Sequence, residues 1–226
     1  AVYQNLAFIE RYSPDYVLVL SGDHVYKMDY SKMIAAHKQS GAACTIAVTE
    51  VELSEASRFG IVNIYEDGRI YEFEEKPKVP KSNLASMGIY VFNYDKLKHY
   101  LTLDDQDPHS DHDFGKNVLP AMLKAGEKMM TYRFHGYWKD VGTIESLWEA
   151  NMDLLNPHIG LNLDDANWRI YSRNRGLPPH YLGPSARVQN SIISEGCTID
   201  GTVDFSVLFA GVTVEEGAEV YDSILM

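Results

Sequence analysis

The first 155 residues alternate short apolar runs with helical patterns, the signature of strand-helix-strand units around a mostly parallel sheet. Tyr16 to Leu20 is a continuous apolar run of strand length, the kind buried on both faces. It ends in Ser21-Gly22-Asp23-His24, and Tyr30 to Gln39 then shows helical spacing closed by Gly41. Cys44 to Val51 predicts the next strand. Asp67-Gly68, between the runs Ile61 to Tyr65 and Ile70 to Phe73, predicts a β-hairpin, because this pair tolerates the positive φ angles of a tight turn. Further strands are expected at Ala85 to Phe92, at Met129 to Phe134 and just before Asp140. Helices are expected at Asp95 to Leu103, Asp113 to Ala125 and Thr143 to Leu155.

Residues 156–185, with Pro157, Pro178, Pro179 and Pro184, read as a linker. Beyond it the apolar period becomes six. Ile193, Ile199 and Phe205 form one set, and Leu208, Val214, Val220 and Met226 a second after a three-residue shift, with Gly196, Gly201, Gly211 and Gly217 at the turns. This is the hexapeptide repeat of a left-handed parallel β-helix, in which inward apolar residues fill a narrow prism. The expected organisation is therefore an α/β domain over residues 1–155, a linker over 156–185 and a β-helix over 186–226. Ala1 opens directly into an apolar helical pattern (Val2, Tyr3, Leu6, Ala7, Ile9) without a Met or a cap, and the repeat holds only about two coils where about three are usual. A longer native chain at both ends is the expectation.

Composition narrows the function. With 226 residues, 45% hydrophobic and 23% charged, the chain is ordinarily globular and long enough for one sizeable core plus a smaller unit. A formal net charge of -12 argues against a general nucleic-acid binder, whose affinity comes from excess Lys and Arg. It still allows an anionic small substrate, since a few cations or a metal reverse the field inside a pocket. Only Cys44 and Cys197 are present, far apart, which fits a reducing cytoplasm better than a disulfide framework. No apolar run approaches the roughly 20 residues of a membrane span, and no signal-peptide pattern is seen.

Two carboxylates stand out. Asp23 follows a buried strand at its carboxyl end, where open α/β sheets place ligands, and Gly22 lets the backbone pass close to one. Such an acid suits Mg²⁺, which is held by one or two carboxylates plus phosphate oxygens. The plainer alternative is an Asp capping the following turn or helix. Asp140 likewise ends a short apolar segment, and Gly142-Thr143 opens a helix with Glu145 in its first turn, so that N-terminus also suits an anion. Here the alternative makes Asp140 a turn residue and Thr143 a helix cap. Glu74-Glu75-Lys76-Pro77 offers an ammonium for a phosphate and a carboxylate for sugar hydroxyls, or is simply an exposed charge cluster at a hairpin end. The acidic stretch from Asp107 to Asp113 has no recognised zinc spacing and reads as a solvated loop ending in a helix cap at Asp113.

Over nearly the whole chain these segments resemble the sugar-1-phosphate nucleotidyltransferases, and among them the ADP-glucose pyrophosphorylase family of bacterial glycogen synthesis. The resemblance is carried by Leu20 to Tyr30 (LSGDHVYKMDY), Phe73 to Pro77 (FEEKP), Ala85 to Phe92 (ASMGIYVF), His112 to Lys116 (HDFGK) and Tyr137 to Thr143 (YWKDVGT). Relatives using UTP, dTTP or GTP look different at the first and last of these, so transfer of an adenylyl group is the implied specificity.

The resemblance implies that Asp23 and Asp140 ligate Mg²⁺, with Asp23 the residue most tied to catalysis. It implies that Lys76 binds the phosphate of glucose 1-phosphate, with Glu75, Ser86 and the backbone at Gly60 completing the sugar site. ATP and glucose 1-phosphate are the implied substrates and a homotetramer in the cytoplasm the implied assembly, with no nucleic acid or membrane as partner. The family's Gly-rich triphosphate loop would precede Ala1, so a chain with this N-terminus is expected to be inactive alone. Three alternatives stay open: a non-catalytic regulatory subunit of the same enzyme, a relative using another nucleoside triphosphate, and an acyltransferase or structural β-helix. The first sits poorly with the presence of Asp23, Lys76 and Asp140 together. The last sits poorly with so short a repeat lacking a His within its coils.

Overall fold

The computed structural model describes residues 1–173 and 175–226. Along the chain the main elements are α1 (Leu6–Glu10), β1 (Tyr16–Val19), β2 (His24–Tyr26), α2 (Tyr30–Ser40), β3 (Cys44–Glu50), β4 (Gly60–Ile64), β5 (Ile70–Glu75), β6 (Leu84–Asn93) and α3 (Tyr94–Asp105). A π-helical turn (Phe114–Val118) then runs into α4 (Leu119–Lys124), followed by β7 (Met129–Arg133), β8 (Trp138–Asp140) and α5 (Ile144–Asp153). The chain forms two compact units, residues 1–22 with 28–135, and residues 23–27 with 136–226.

In the first unit β6 is the organising strand. One edge pairs with β3 over nearly its whole length. The other is shared by β1, which registers Tyr16 to Val19 against Asn93 to Tyr90, and by β4, which meets it at Ala85. The α/β class is as expected, but the sheet is mixed rather than mostly parallel: among the described strands of this sheet only β3 and β7 pair in parallel. The cause lies in the hairpin. β1, β3 and β7 run the same way, as strand-helix-strand units require, but β4 and β5 reverse the chain. β6 then enters between β1 and β3 in the opposite sense. A second departure is β1 itself, whose four residues are half-buried, not buried on both faces, while Leu20 is exposed. Among the described strands it is paired along one edge, by β6.

Local chemistry sets the helix ends. The Asp29 carboxylate accepts the Ser31 N–H at the start of α2, and Gly41, at φ +63, closes it in the left-handed conformation that glycine takes without strain. Ile46, Phe92, Leu97, Leu119, Met122 and Met129 are fully buried in the core beneath. Within it His37 is buried and satisfied, with one ring nitrogen 2.8 Å from the Thr45 hydroxyl and the other 2.9 Å from Asn93 Oδ1. None of the described helices is long and apolar enough to cross a membrane.

The second unit holds the two-stranded antiparallel ribbon of β2 and β8, helix α5 and the repeat. From Tyr181 onward short strands stack in three parallel ladders, each three strands deep, with paired residues 15 or 17 positions apart. Ile199, Val203, Leu208 and Val214 are buried inside, joined by Ile193, Val220 and Leu225. The six-residue period therefore holds for most of the set and slips at two places. Phe205 sits half-buried at a turn with φ +43 while Val203 fills the core. At the other place Leu225 points in and Met226 is 77% exposed. Coils shorter than three full hexapeptides account for both slips.

Candidate functional site

The carboxylate pair is built on the ribbon of the second unit. His24 registers against Asp140, Val25 against Lys139 and Tyr26 against Trp138. The Val141 N–H donates to the Asp23 carbonyl at 2.9 Å, which extends the pairing by one step and brings Asp23 beside the end of β8. The two side chains converge at Gly142. A Cβ there would lie 3.0 Å from Asp140 Oδ1 and 3.5 Å from Asp23 Oδ2. Asp23 is 58% exposed and Asp140 31%, so both reach water.

Asp140 also behaves as a turn residue, its Oδ1 accepting the Gly142 N–H at 2.8 Å, and Thr143 is indeed a helix cap, its hydroxyl accepting the Ser146 N–H at 3.1 Å. These local roles leave the second Asp140 oxygen, 3.8 Å from His24 Nε2, and a hard-oxygen cradle shared with Asp23. No group of three or more His, Cys, Asp or Glu among the described residues is placed to hold a metal. Two carboxylates whose remaining coordination comes from water and phosphate oxygens are the donor set that Mg²⁺ favours. Behind the pair, Lys139 bridges to Glu149 and Asp153 at 3.0 Å each, and the Tyr137 hydroxyl donates to Asp153 at 2.8 Å, tying β8 to α5. Burial, followed by that hydrogen bond to Asp153, raises the Tyr137 phenol.

The other residues singled out lie in the first unit. Gly60 and Glu75 are direct partners in the β4–β5 ladder. The acidic cluster of β5 divides by face: Glu72 and Glu74 pair with Lys81 and Asn63, whereas Glu75 sits on the opposite face. Its carboxylate lies against two glycine backbones. A Cβ at Gly60 would stand 3.0 Å from Glu75 Oε2 and 2.5 Å from Phe73, and one at Gly115 would stand 2.4 Å from the same oxygen. Burial raises the Glu75 carboxyl above the ordinary carboxylate range, the Asp113 charge adds to the rise, and Lys76 and Lys116 oppose it.

Lys76 itself is exposed, with its backbone in the left-handed region at φ +48 and its N–H donating to the Phe59 carbonyl at 3.1 Å. A non-glycine residue held there is strained, and such strain concentrates at sites of function. Ser86 is buried in β6, beside the Tyr90 phenol. Burial pushes that phenol up to about 12, the hydrogen-bonded Ser86 hydroxyl opposes, and the charges of Glu75 and Asp113 reinforce the rise.

The structure thus groups Asp23 with Asp140 in one unit, and Gly60, Glu75 and Ser86 on β4, β5 and β6 of the other, with Lys76 directly after β5. The stretch from Asp107 to Asp113 is paired with residues flanking it, with Lys116 on Asp111, His112 on Asp104, and Asp113 capping the π-helical turn through the Lys116 N–H. Three neighbours went unassigned in the sequence: His24 and Trp138 around the carboxylates, and Gly115 against Glu75. Each stands inside a motif already singled out, but nothing in a linear pattern shows which neighbour a side chain meets.

Glu75 carries a pH test. Its folded pKa lies above the unfolded value, so the unfolded chain ionises first as pH rises. The destabilisation begins in the ordinary carboxylate range, grows up to the raised folded value and is full above it. Glu75→Gln is therefore expected to raise the melting temperature at pH 7 and to do so less at pH 4. An equal change at both would exclude charge burial as its cause.

Comparison with known proteins gives the family. The profile of the Nucleotidyl transferase family matches residues 1–157, and that of the GlmU-like C-terminal hexapeptide matches residues 181–226. The chain is 59% identical over 226 residues to a glucose-1-phosphate adenylyltransferase of Bacillus cereus, covering 100% of this chain and 60% of the relative. It is equally similar, over the same shares, to its namesake in Bacillus mycoides. A glucose-1-phosphate adenylyltransferase of Acetivibrio thermocellus is 58% identical over 226 residues, of which the chain covers 53%. The chain spans about 60% or less of the length of these relatives.

Proposed function

Since the chain belongs to the nucleotidyl transferase family, with a hexapeptide repeat following, we propose that it is part of an enzyme transferring an adenylyl group from ATP to α-D-glucose 1-phosphate. The products are ADP-glucose, for glycogen synthesis, and pyrophosphate. The observation that carries this reading is the convergence of Asp23 and Asp140 at Gly142. The names of the relatives at 58–59% identity support the choice of nucleotide and sugar.

In this reading residues 1–155 are the catalytic domain, 156–185 a linker and 186–226 an assembly module of a cytoplasmic homotetramer. Asp23 and Asp140 hold Mg²⁺, which when bound neutralises phosphate charge and orients the reacting oxygens. Two anions must meet in this reaction, so the protein contributes mainly positioning and positive charge. Lys76 supplies its ammonium to the sugar phosphate from a backbone already bent into place. Glu75, fixed between Gly60 and Gly115, accepts hydrogen bonds from sugar hydroxyls, and the Gly60 backbone and Ser86 border the same site. The sugar phosphate oxygen then attacks the α-phosphorus of ATP in line, and pyrophosphate leaves.

The test is an assay of the full-length protein with Mg²⁺, glucose 1-phosphate and each nucleoside triphosphate in turn, following pyrophosphate release. ATP is expected to be preferred. A clear preference for UTP or dTTP would overturn the assigned specificity, and no turnover with any of them would favour a regulatory subunit.

A further inference from the structure

The side chain of His24 is 9% exposed, and its Nε2 lies 3.6 Å from Asp23 Oδ1 and 3.8 Å from Asp140 Oδ2. At those lengths neither contact is a hydrogen bond. The near equality is informative: the ring nitrogen stands between the two acids and belongs to neither. Its orientation is set from behind. Trp138 Nε1–H donates to His24 Nδ1 at 3.4 Å, and the two rings meet edge to face at 5.2 Å. When Nδ1 accepts, the ring's proton resides on Nε2 and faces the carboxylates.

The ribbon makes this arrangement from local rules. His24 is directly opposite Asp140, and Trp138, two residues before Asp140, projects on the same face and reaches His24 along the diagonal. Asp23 joins through its carbonyl bond to Val141. All four residues therefore lie on one small ribbon, held by three registered pairs and the Val141–Asp23 bond, not on distant loops.

Resting on the metal reading above, we infer that His24 is a positioning residue for the carboxylate pair, a Trp138-oriented N–H that keeps Asp23 and Asp140 converged for a divalent cation. Two like charges held near one point repel, and Asp23 is exposed enough to swing into water. A donor facing both opposes that separation before any cation arrives. Groups that orient ligating carboxylates typically change metal affinity about 10- to 100-fold when lost.

The test is Mn²⁺ binding to the 226-residue chain, with no nucleotide or sugar present, read from the electron paramagnetic resonance signal of free Mn²⁺. D23N and D140N are the references, and both are expected to weaken binding. H24L, which keeps bulk but loses the donor, is expected to weaken it by roughly tenfold or more. H24Q, which presents an N–H at the position of Nε2, is expected to restore most of the affinity, and W138F to fall between. Parental affinity in H24L would overturn the inference, as would an H24Q chain as weak as H24L, since ring shape and not the N–H would then matter. If H24L does not fold, H24Q and W138F decide: parental affinity in W138F removes the orienting bond. If D23N and D140N bind Mn²⁺ as the parent does, the metal reading itself falls and this inference with it.

Discussion

Asp23→Asn is expected to lower kcat of the full-length protein on the order of a thousandfold, with Asp140→Asn close behind. A cation held by the two carboxylates would supply several kcal/mol of transition-state stabilisation, and each 1.36 kcal/mol is about tenfold in rate. The exchange keeps the shape of each side chain and removes its charge. It leaves the fold intact, because Asp23 meets Val141 through its backbone carbonyl and an amide oxygen at position 140 still accepts the Gly142 N–H. Turnover and Mn²⁺ affinity should therefore fall together while the melting temperature stays near that of the parent. An Asp140→Asn enzyme of near-parental rate would remove that residue from the site.

Lys76→Ala is expected to raise KM for glucose 1-phosphate by roughly 10- to 100-fold, with KM for ATP little changed. One charge-assisted hydrogen bond to a phosphate is worth about 1.5–3 kcal/mol, which is that range of affinity. Because Lys76 is exposed, its loss removes no core packing. Lys76→Arg should recover only part of the binding, since a planar fork on a left-handed backbone does not replace a compact ammonium. An unchanged KM for the sugar phosphate in Lys76→Ala would assign that anion to another cation.

Local signals were legible in the sequence wherever one short segment determines its own shape. The Asp67-Gly68 hairpin, the glycine closing α2 and the caps at Asp113 and Thr143 all follow from the chemistry of a few adjacent residues. What could not be read was set by partners distant in the chain. β6 runs against its neighbours because a hairpin turned the chain around. β2 is a strand of three residues that exists only because β8 pairs with it, so the segment after Gly22 looks like a loop in the sequence. The same limit applies to the site. Asp23 and Asp140 are each an acid after an apolar run, and motif resemblance joined them. The imidazole between them and the glycine facing Glu75 are visible only in three dimensions.

The π-helical turn at Phe114–Val118 has a consequence for how this segment can change over generations. A π-turn accommodates one residue more than an α-turn, and deleting that residue would let the ordinary ladder close. Every position on one side of the deletion would then rotate by about 100° about the helix axis. Gly115 would leave Glu75, and a neighbour bearing a side chain would take the place where even a methyl group lies 2.4 Å from the carboxylate. Length is thus as constrained as identity across HDFGK, and lineages that keep an acid at position 75 should accept substitutions around the turn long before they accept a gap within it.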